Sequence, residues 1–210
     1  MLLADLKTES GQGGAMNPRM NPNAGNLLLN QYLTPFDFHE IHHLFIPAPA
    51  REIYPQIQQM DLNDSRVVRS LFRLRGIPAD DIRLENMVTQ GPFRILDQRA
   101  DEELFIGLLC DARIRPIEFE GLETFKAFAP QQGLKIGWNF SLIPRGTEGC
   151  ILKTETRVRC FGALARLGFG FYWMGIRFFS GWIRMEMLKS VRHQTLNTIK
   201  QQQDKPKENI

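Results

Sequence analysis

Chemical signatures are scarce in this chain. It contains no GxSxG, HExxH, P-loop or GxGxxG element, so no recognised motif carries catalysis. Only three cysteines occur, Cys110, Cys150 and Cys160, without CxxC or Cys/His spacing. An odd number in apolar, strand-like contexts reads as buried, reduced thiols of a reducing compartment. No metal or cofactor is expected. The start MLLADLKTES lacks the basic and long apolar regions of a signal peptide, which makes the cytoplasm the expected location. A run of about 20 uncharged apolar residues, as a spanning helix needs, is also missing. The nearest approach, Phe161–Met187, is interrupted by Arg166, Arg177 and Arg184, each costly at a bilayer centre. Charge of one sign is hardly in excess: 26 Lys and Arg against 23 Asp and Glu, a net +3. No nucleic-acid partner follows from that balance.

What is present is ordinary globular material: 210 residues, 43% hydrophobic and 23% charged, enough for one domain with a real core. The distribution of charge is uneven. From Arg157 onward, basic residues as far as Lys207 face only Glu186, Asp204 and Glu208, so this end carries most of the positive field.

Residues 1–30, rich in Gly, Asn and Pro, read as a disordered leader, and 201–210 (QQQDKPKENI) as a fraying tail. Between them, Phe38–Ile46 alternates and is stopped by Pro47, which predicts a strand. Ala50–Met60 and Asp64–Arg75 show helical spacing, the second ended by Gly76-Ile77-Pro78. Phe93–Gln98 and Glu103–Cys110 predict a hairpin, with short strands at Ile117–Phe119 and Thr124–Phe128. Two long alternating segments, Gly133–Pro144 and Cys150–Cys160, flank the turn Arg145–Gly149. A helical pattern then runs from about Gly162 to Thr198, with kinks expected at its glycines. Strands grouped in this way predict an α+β protein, not a doubly wound sheet.

Strand side chains alternate between faces. The apolar face of the two long segments gathers Trp138, Phe140, Leu152 and Val158 with the hydroxyls Thr154 and Thr156. Such a wall suits either a packed core or an apolar pocket. The opposite set, including Asn139, Glu155 and Arg157, reads as a solvent-facing surface whose ion pair would contribute well under about 1 kcal/mol.

The stretch FHEIHHLFIPAPAREIY, the element IGWNFSLIP, the strand LKTETRV and the ending FYWMGIRFFSGWIR together resemble the START/birch-pollen-allergen superfamily. Within it they are similar to bacterial SRPBCC, or polyketide-cyclase-like, members. The resemblance spans roughly Phe36 to Arg192. It implies a helix-grip domain over residues 36–198, a curved antiparallel sheet wrapped around a long C-terminal helix. It further implies a cavity between sheet and helix for a lipid, aromatic or polyketide-like molecule. Many such proteins are non-enzymatic carriers; a minority catalyse cyclisation or dehydration, and no universal catalytic residue transfers.

The candidate ligand-binding residues are Trp138, Phe140, Leu152, Thr154, Thr156, Tyr172 and Trp173. Tyr172 and Trp173 are included because each adds a polar handle to an apolar body. Catalysis, the lesser expectation, has only Glu40 and His42 as an acid–base pair. His42 and His43 project to opposite faces and do not make a metal site. The aromatic, arginine-rich terminal helix also fits a third reading, peripheral contact with a membrane or partner. Most of its apolar residues are expected in the core.

Overall fold

Alternating segments become strands here because the inner face of the resulting sheet is covered along its length and the outer face is covered over its central strands, while the outer side of β1 stays exposed. The computed structural model describes residues 26–63, 65–74 and 81–204. Its elements are α1 (Leu28–Tyr32), β1 (Phe38–Ile46), α2 (Ala50–Gln58), α3 (Arg66–Leu74), α4 (Leu84–Thr89), β2 (Arg94–Arg99), β3 (Glu103–Cys110), β4 (Pro116–Ile117), α5 (Leu122–Ala127), β5 (Gly133–Pro144), β6 (Cys150–Phe161) and α6 (Ala163–Asp204). The antiparallel sheet has the order β1-β6-β5-β3-β2, with β4 beside β3. With the long α6 against it, this is the expected α+β helix-grip architecture.

β1, the β2–β3 hairpin, β5, β6 and the Arg145–Gly149 turn lie where alternation and turn residues predict them. α6 runs unbroken through its glycines. The inner face of the sheet packs against α2, α4 and the second half of α6. Ile53, Ile57, Phe140, Leu152, Leu188 and Val191 are fully buried there. The first half of α6 closes the far end, where Ala165 and Phe169 meet Leu134, Val158 and Cys160.

Three expectations change. Thr124–Phe128 is not a strand: Leu122 and Phe125 share a helical face, and Phe125 is wholly buried with its ring 5.7 Å from that of Phe105. The leader cannot extend to residue 30, because Leu28 and Leu29 in α1 are 2% and 0% exposed. At the other end, residues 201–204 continue α6. The rest of the leader (1–25), the Gly76-Ile77-Pro78 stop and residues 205–210 lie outside the described residues.

The third change concerns the outer face. Glu155 and Arg157, expected in solvent, are 4% and 8% exposed, because α1 and the segment after it lie across them. Glu103 accepts hydrogen bonds from the Leu28 and Leu29 amides at 2.7 and 3.3 Å and from Asn139 Nδ2 at 2.6 Å. Asn139 Oδ1 in turn accepts from the Glu155 amide. Arg157 donates to Glu155 at 2.7 Å, to Asn30 Oδ1 at 2.6 Å and to the Leu29 and Leu33 carbonyls, and it stacks over Phe36 at 4.5 Å. Burial alone would raise the Glu155 carboxyl, but Lys153 and Arg157 outweigh it and hold the group below its ordinary value. Gly137 makes room for this cover: a Cβ there would come within 2.9 Å of the Phe105 ring and 3.0 Å of Leu33.

Arg157→Met removes one of the two cations paired with the buried Glu155 carboxylate and the donor to Asn30 Oδ1 and the Leu33 carbonyl, so it should destabilise the fold by about 3–5 kcal/mol, measured by urea unfolding. Lys135, buried under α5 with its Nζ donating to the Lys126 carbonyl, is lowered to about 8 by burial and then by Arg159. Its folded pKa lies below the unfolded value near 10.5, so between about pH 8 and 10.5 the unfolded chain binds more protons and this group's contribution to stability rises. The stability difference between Lys135→Met and wild type should therefore be constant below pH 8 and shift towards the wild type across that window. Subtracting the two proteins cancels the thiols, whose opposite effect sets in above about pH 9.

Candidate functional site

The register of the sheet sets the site's plan. Across β1, β6, β5 and β3, one inner row reads Glu40, Thr156, Trp138, Ile106, and the next reads His42, Thr154, Phe140, Leu104. Polar groups from the first two strands thus stand beside apolar ones from the next two. Over these rows α6 presents Ser180, Ile183, Arg184 and Met187, spaced three, four and seven apart on one helical face.

On one flank of α6 a cleft of about 360 Å³ is bounded by Met87, Phe93, Trp138, Ile183, Arg184 and Met187. Its volume lies in the range of small-molecule sites. The Trp138 indole is held between neighbours, with the Arg184 guanidinium 4.4 Å from its centroid and the Phe93 ring 4.8 Å away. On the other flank a groove opens beside Glu40, His42, Arg177, Phe178, Trp182 and Met185. Glu40 Oε1 and His42 Nε2 lie 2.9 Å apart, with side chains 10% and 22% exposed. Gly181 permits this closeness to the helix: a Cβ there would sit 2.8 Å from Glu40 Oε1 and 3.2 Å from the His42 ring.

Three buried polar atoms on this inner face have no partner among the described residues: Glu40 Oε2, Thr154 Oγ1 and Trp138 Nε1. They come from three adjacent strands and two adjacent rows. A buried polar group without a hydrogen bond costs about 1–3 kcal/mol, so three on one apolar wall mark a place where further polar atoms would be stabilising. All three cysteines are buried. Burial, then the nearby Asp111, pushes the Cys110 thiol up to about 12, and burial with Asp37 pushes Cys160 up to about 11. Cys150 is also raised, chiefly by burial.

The residues expected from the sequence divide into three groups. Trp138 lines the cleft, and Thr154 and Thr156 are buried on the same face. Phe140 and Leu152 are both 0% exposed and belong to the packed core behind it. Tyr172 and Trp173 are not brought to Trp138. They lie ten or more residues before Ile183 on α6, about 15 Å along the helix axis. Trp173 packs on Phe38 and Phe169 at the far end of the sheet, and Tyr172 is 43% exposed. An aromatic residue with a polar handle fits a pocket, but the helical phase decides which pocket it can reach. Glu40 and His42 do face inward together, as alternation with Leu44 and Ile46 implies. Met87, Ser180, Arg184 and Gly181 were not anticipated; the three-and-four spacing of the α6 group was their only signal.

Sheet, terminal helix and flanking cleft define a helix-grip protein with an accessible inner face. No family model matches the chain, and no curated protein matches it. Among solved structures, it is similar to a conserved protein from Geobacillus kaustophilus at 8% identity, covering 77% of this chain and 97% of that one, with a TM-score of 0.40. It is also similar to the Zhui aromatase/cyclase from Streptomyces sp. R1128, at 12% identity over 82% and 99% of the two chains and a TM-score of 0.34. A START superfamily protein from Mycobacterium smegmatis gives 10% identity, 76% and 98% coverage, and a TM-score of 0.30. The architecture itself stands on the strand order and terminal helix described above.

The division between core and site has a direct test. Phe140→Ala should cost about 3–5 kcal/mol of stability, whereas Tyr172→Ala should cost less than about 1 kcal/mol, both read from chemical denaturation.

Proposed function

We propose that the protein binds and carries a mostly apolar small molecule (lipid, aromatic or polyketide-like) between the sheet and α6, without transforming it. The observation that carries this reading is the set of three unpartnered polar atoms on an otherwise apolar inner wall. Glu40 Oε2, as a carboxylate, calls for a donor, Trp138 Nε1 calls for an acceptor, and Thr154 Oγ1 takes either. A carbonyl or ether oxygen in the cleft would answer Trp138 Nε1, and a hydroxyl in the groove on the other flank of α6 would answer Glu40 Oε2. The ligand's apolar remainder would supply the affinity, at about 25 cal/mol per Å² removed from water. A second reading, a cyclase- or dehydratase-type enzyme in the same space, is favoured by one contact, the 2.9 Å Glu40–His42 pair.

Native mass spectrometry of protein purified from cells should show a bound lipid or metabolite; protein that is always empty and indifferent to added apolar compounds counts against the carrier. Thr154→Val discriminates further. It removes a buried hydroxyl that lacks a partner, so the empty protein should gain about 1 kcal/mol or more in stability while retention of the co-purified molecule falls. His42→Ala should leave retention intact in a carrier and abolish turnover in an enzyme.

A further inference from the structure

The first half of α6 is apolar on two opposite sides. At about 100° per residue, Ala165, Phe169, Ile176, Ile183 and Met187 fall together on the side packed against the sheet. Leu164, Leu167, Phe171, Met174, Phe178 and Trp182 fall together on the other side. These six are 75%, 61%, 65%, 66%, 83% and 52% exposed. The expectation that most of this helix is core therefore fails for its outer side. A continuous stripe of this length is unusual on a free surface and marks a contact. No helix among the described residues is long and apolar enough to cross a membrane.

The charges beside the stripe indicate what covers it. Between Glu155 and Glu186 the chain has no acidic residue, while this part of α6 carries Arg177 together with Arg166, which is paired with Asp37, and Arg184, which is stacked on Trp138. Arg177 is exposed and makes no ion pair with a described residue. Spacings of three and four also suit a coiled-coil seam, but such a seam sets complementary charges along its flanks. Here the flanking positions hold Gly168, Gly170, Gly175 and Arg177, with no carboxylate to pair with the arginine of a second copy. Large aromatic and aliphatic side chains flanked by Arg177, with no carboxylate on this stretch of α6, match an anionic bilayer surface.

We propose that the outer side of α6 from Leu164 to Trp182 docks on anionic membranes, lying in the interface with its aromatic residues among the acyl chains and Arg177 at the headgroups. This surface is separate from the cleft, and it stands or falls independently of whether the protein carries a ligand. The groove beside Glu40 and His42 does open along it, with Phe178 and Trp182 on the rim.

The full chain should co-sediment with vesicles of 70% phosphatidylcholine and 30% phosphatidylglycerol at least about tenfold better than with phosphatidylcholine alone, and salt should release it. The double variant Phe171→Glu/Phe178→Glu changes two exposed side chains, so its melting curve should match wild type while its partition falls by at least about tenfold. Arg177→Glu should weaken binding to the anionic vesicles by about tenfold and leave binding to the neutral ones unchanged. Equal partition of wild type and double variant overturns the proposal, as does equal binding to the two vesicle types. So does a dimer in sedimentation velocity that the double variant dissociates, since a second copy would then be the occupant.

Discussion

A charged network buried on the outer face of the sheet holds the rest of the structure in register. Glu103 on β3, Asn139 on β5 and Glu155 and Arg157 on β6 form a lateral chain across three neighbouring strands. Glu103 binds the first amides of α1, and Arg157 binds the Leu29 carbonyl and that of Leu33 just past the end of α1. The N-terminal segment is thereby fixed over the sheet, and Leu28, Leu29 and Leu33 can close a second apolar cluster on Phe105, Phe119 and Phe125. Charged groups removed from water are tolerated only where ion pairs or hydrogen bonds replace their hydration. That condition imposes one register and one position for α1, and it explains why β3 is buried along its whole length.

With the outer face closed over the central strands, the cleft lies on the inner face. That face is asymmetric: polar groups come from β1 and β6, and aromatic and aliphatic ones from β5 and β3. α6 crosses it with different consequences along its length. The second half completes the core, with Leu188 and Val191 fully buried. Around Gly181 the helix comes close enough to touch the Glu40–His42 pair, and at Arg184 it covers Trp138. The first half faces the sheet on one side and presents an apolar stripe to its surroundings on the other. A single helix therefore acts as core element, roof of the site and exposed contact surface.

Local pattern carried much of this. Period-two alternation located β1, β5 and β6, and the pairing of Trp138, Thr154 and Thr156 on one face followed from it without knowledge of their neighbours. Glu40 and His42 were legible for the same reason, since residues two apart on a strand share a face. The site's other half was not legible. Which side of α6 meets the sheet depends on helical phase, and a helix apolar on both sides gives periodicity nothing to choose between. Tyr172 was assigned to the pocket on side-chain chemistry, yet its phase sends it outward. Thr124–Phe128 was ambiguous because a short apolar segment fits either period.

The sequence by itself determined the five longer strands, the turn between the two longest of them, the terminal helix and the α+β class, because these follow from spacing within a few residues. Only the tertiary structure decided that Glu155 and Arg157 are buried, since their covering comes from residues 28–36, more than a hundred positions away. It likewise decided which stripe of α6 is core and which is free, and brought Glu40, Thr154 and Trp138 to one wall. Burial is a property of what lies opposite a residue, and no local pattern records that.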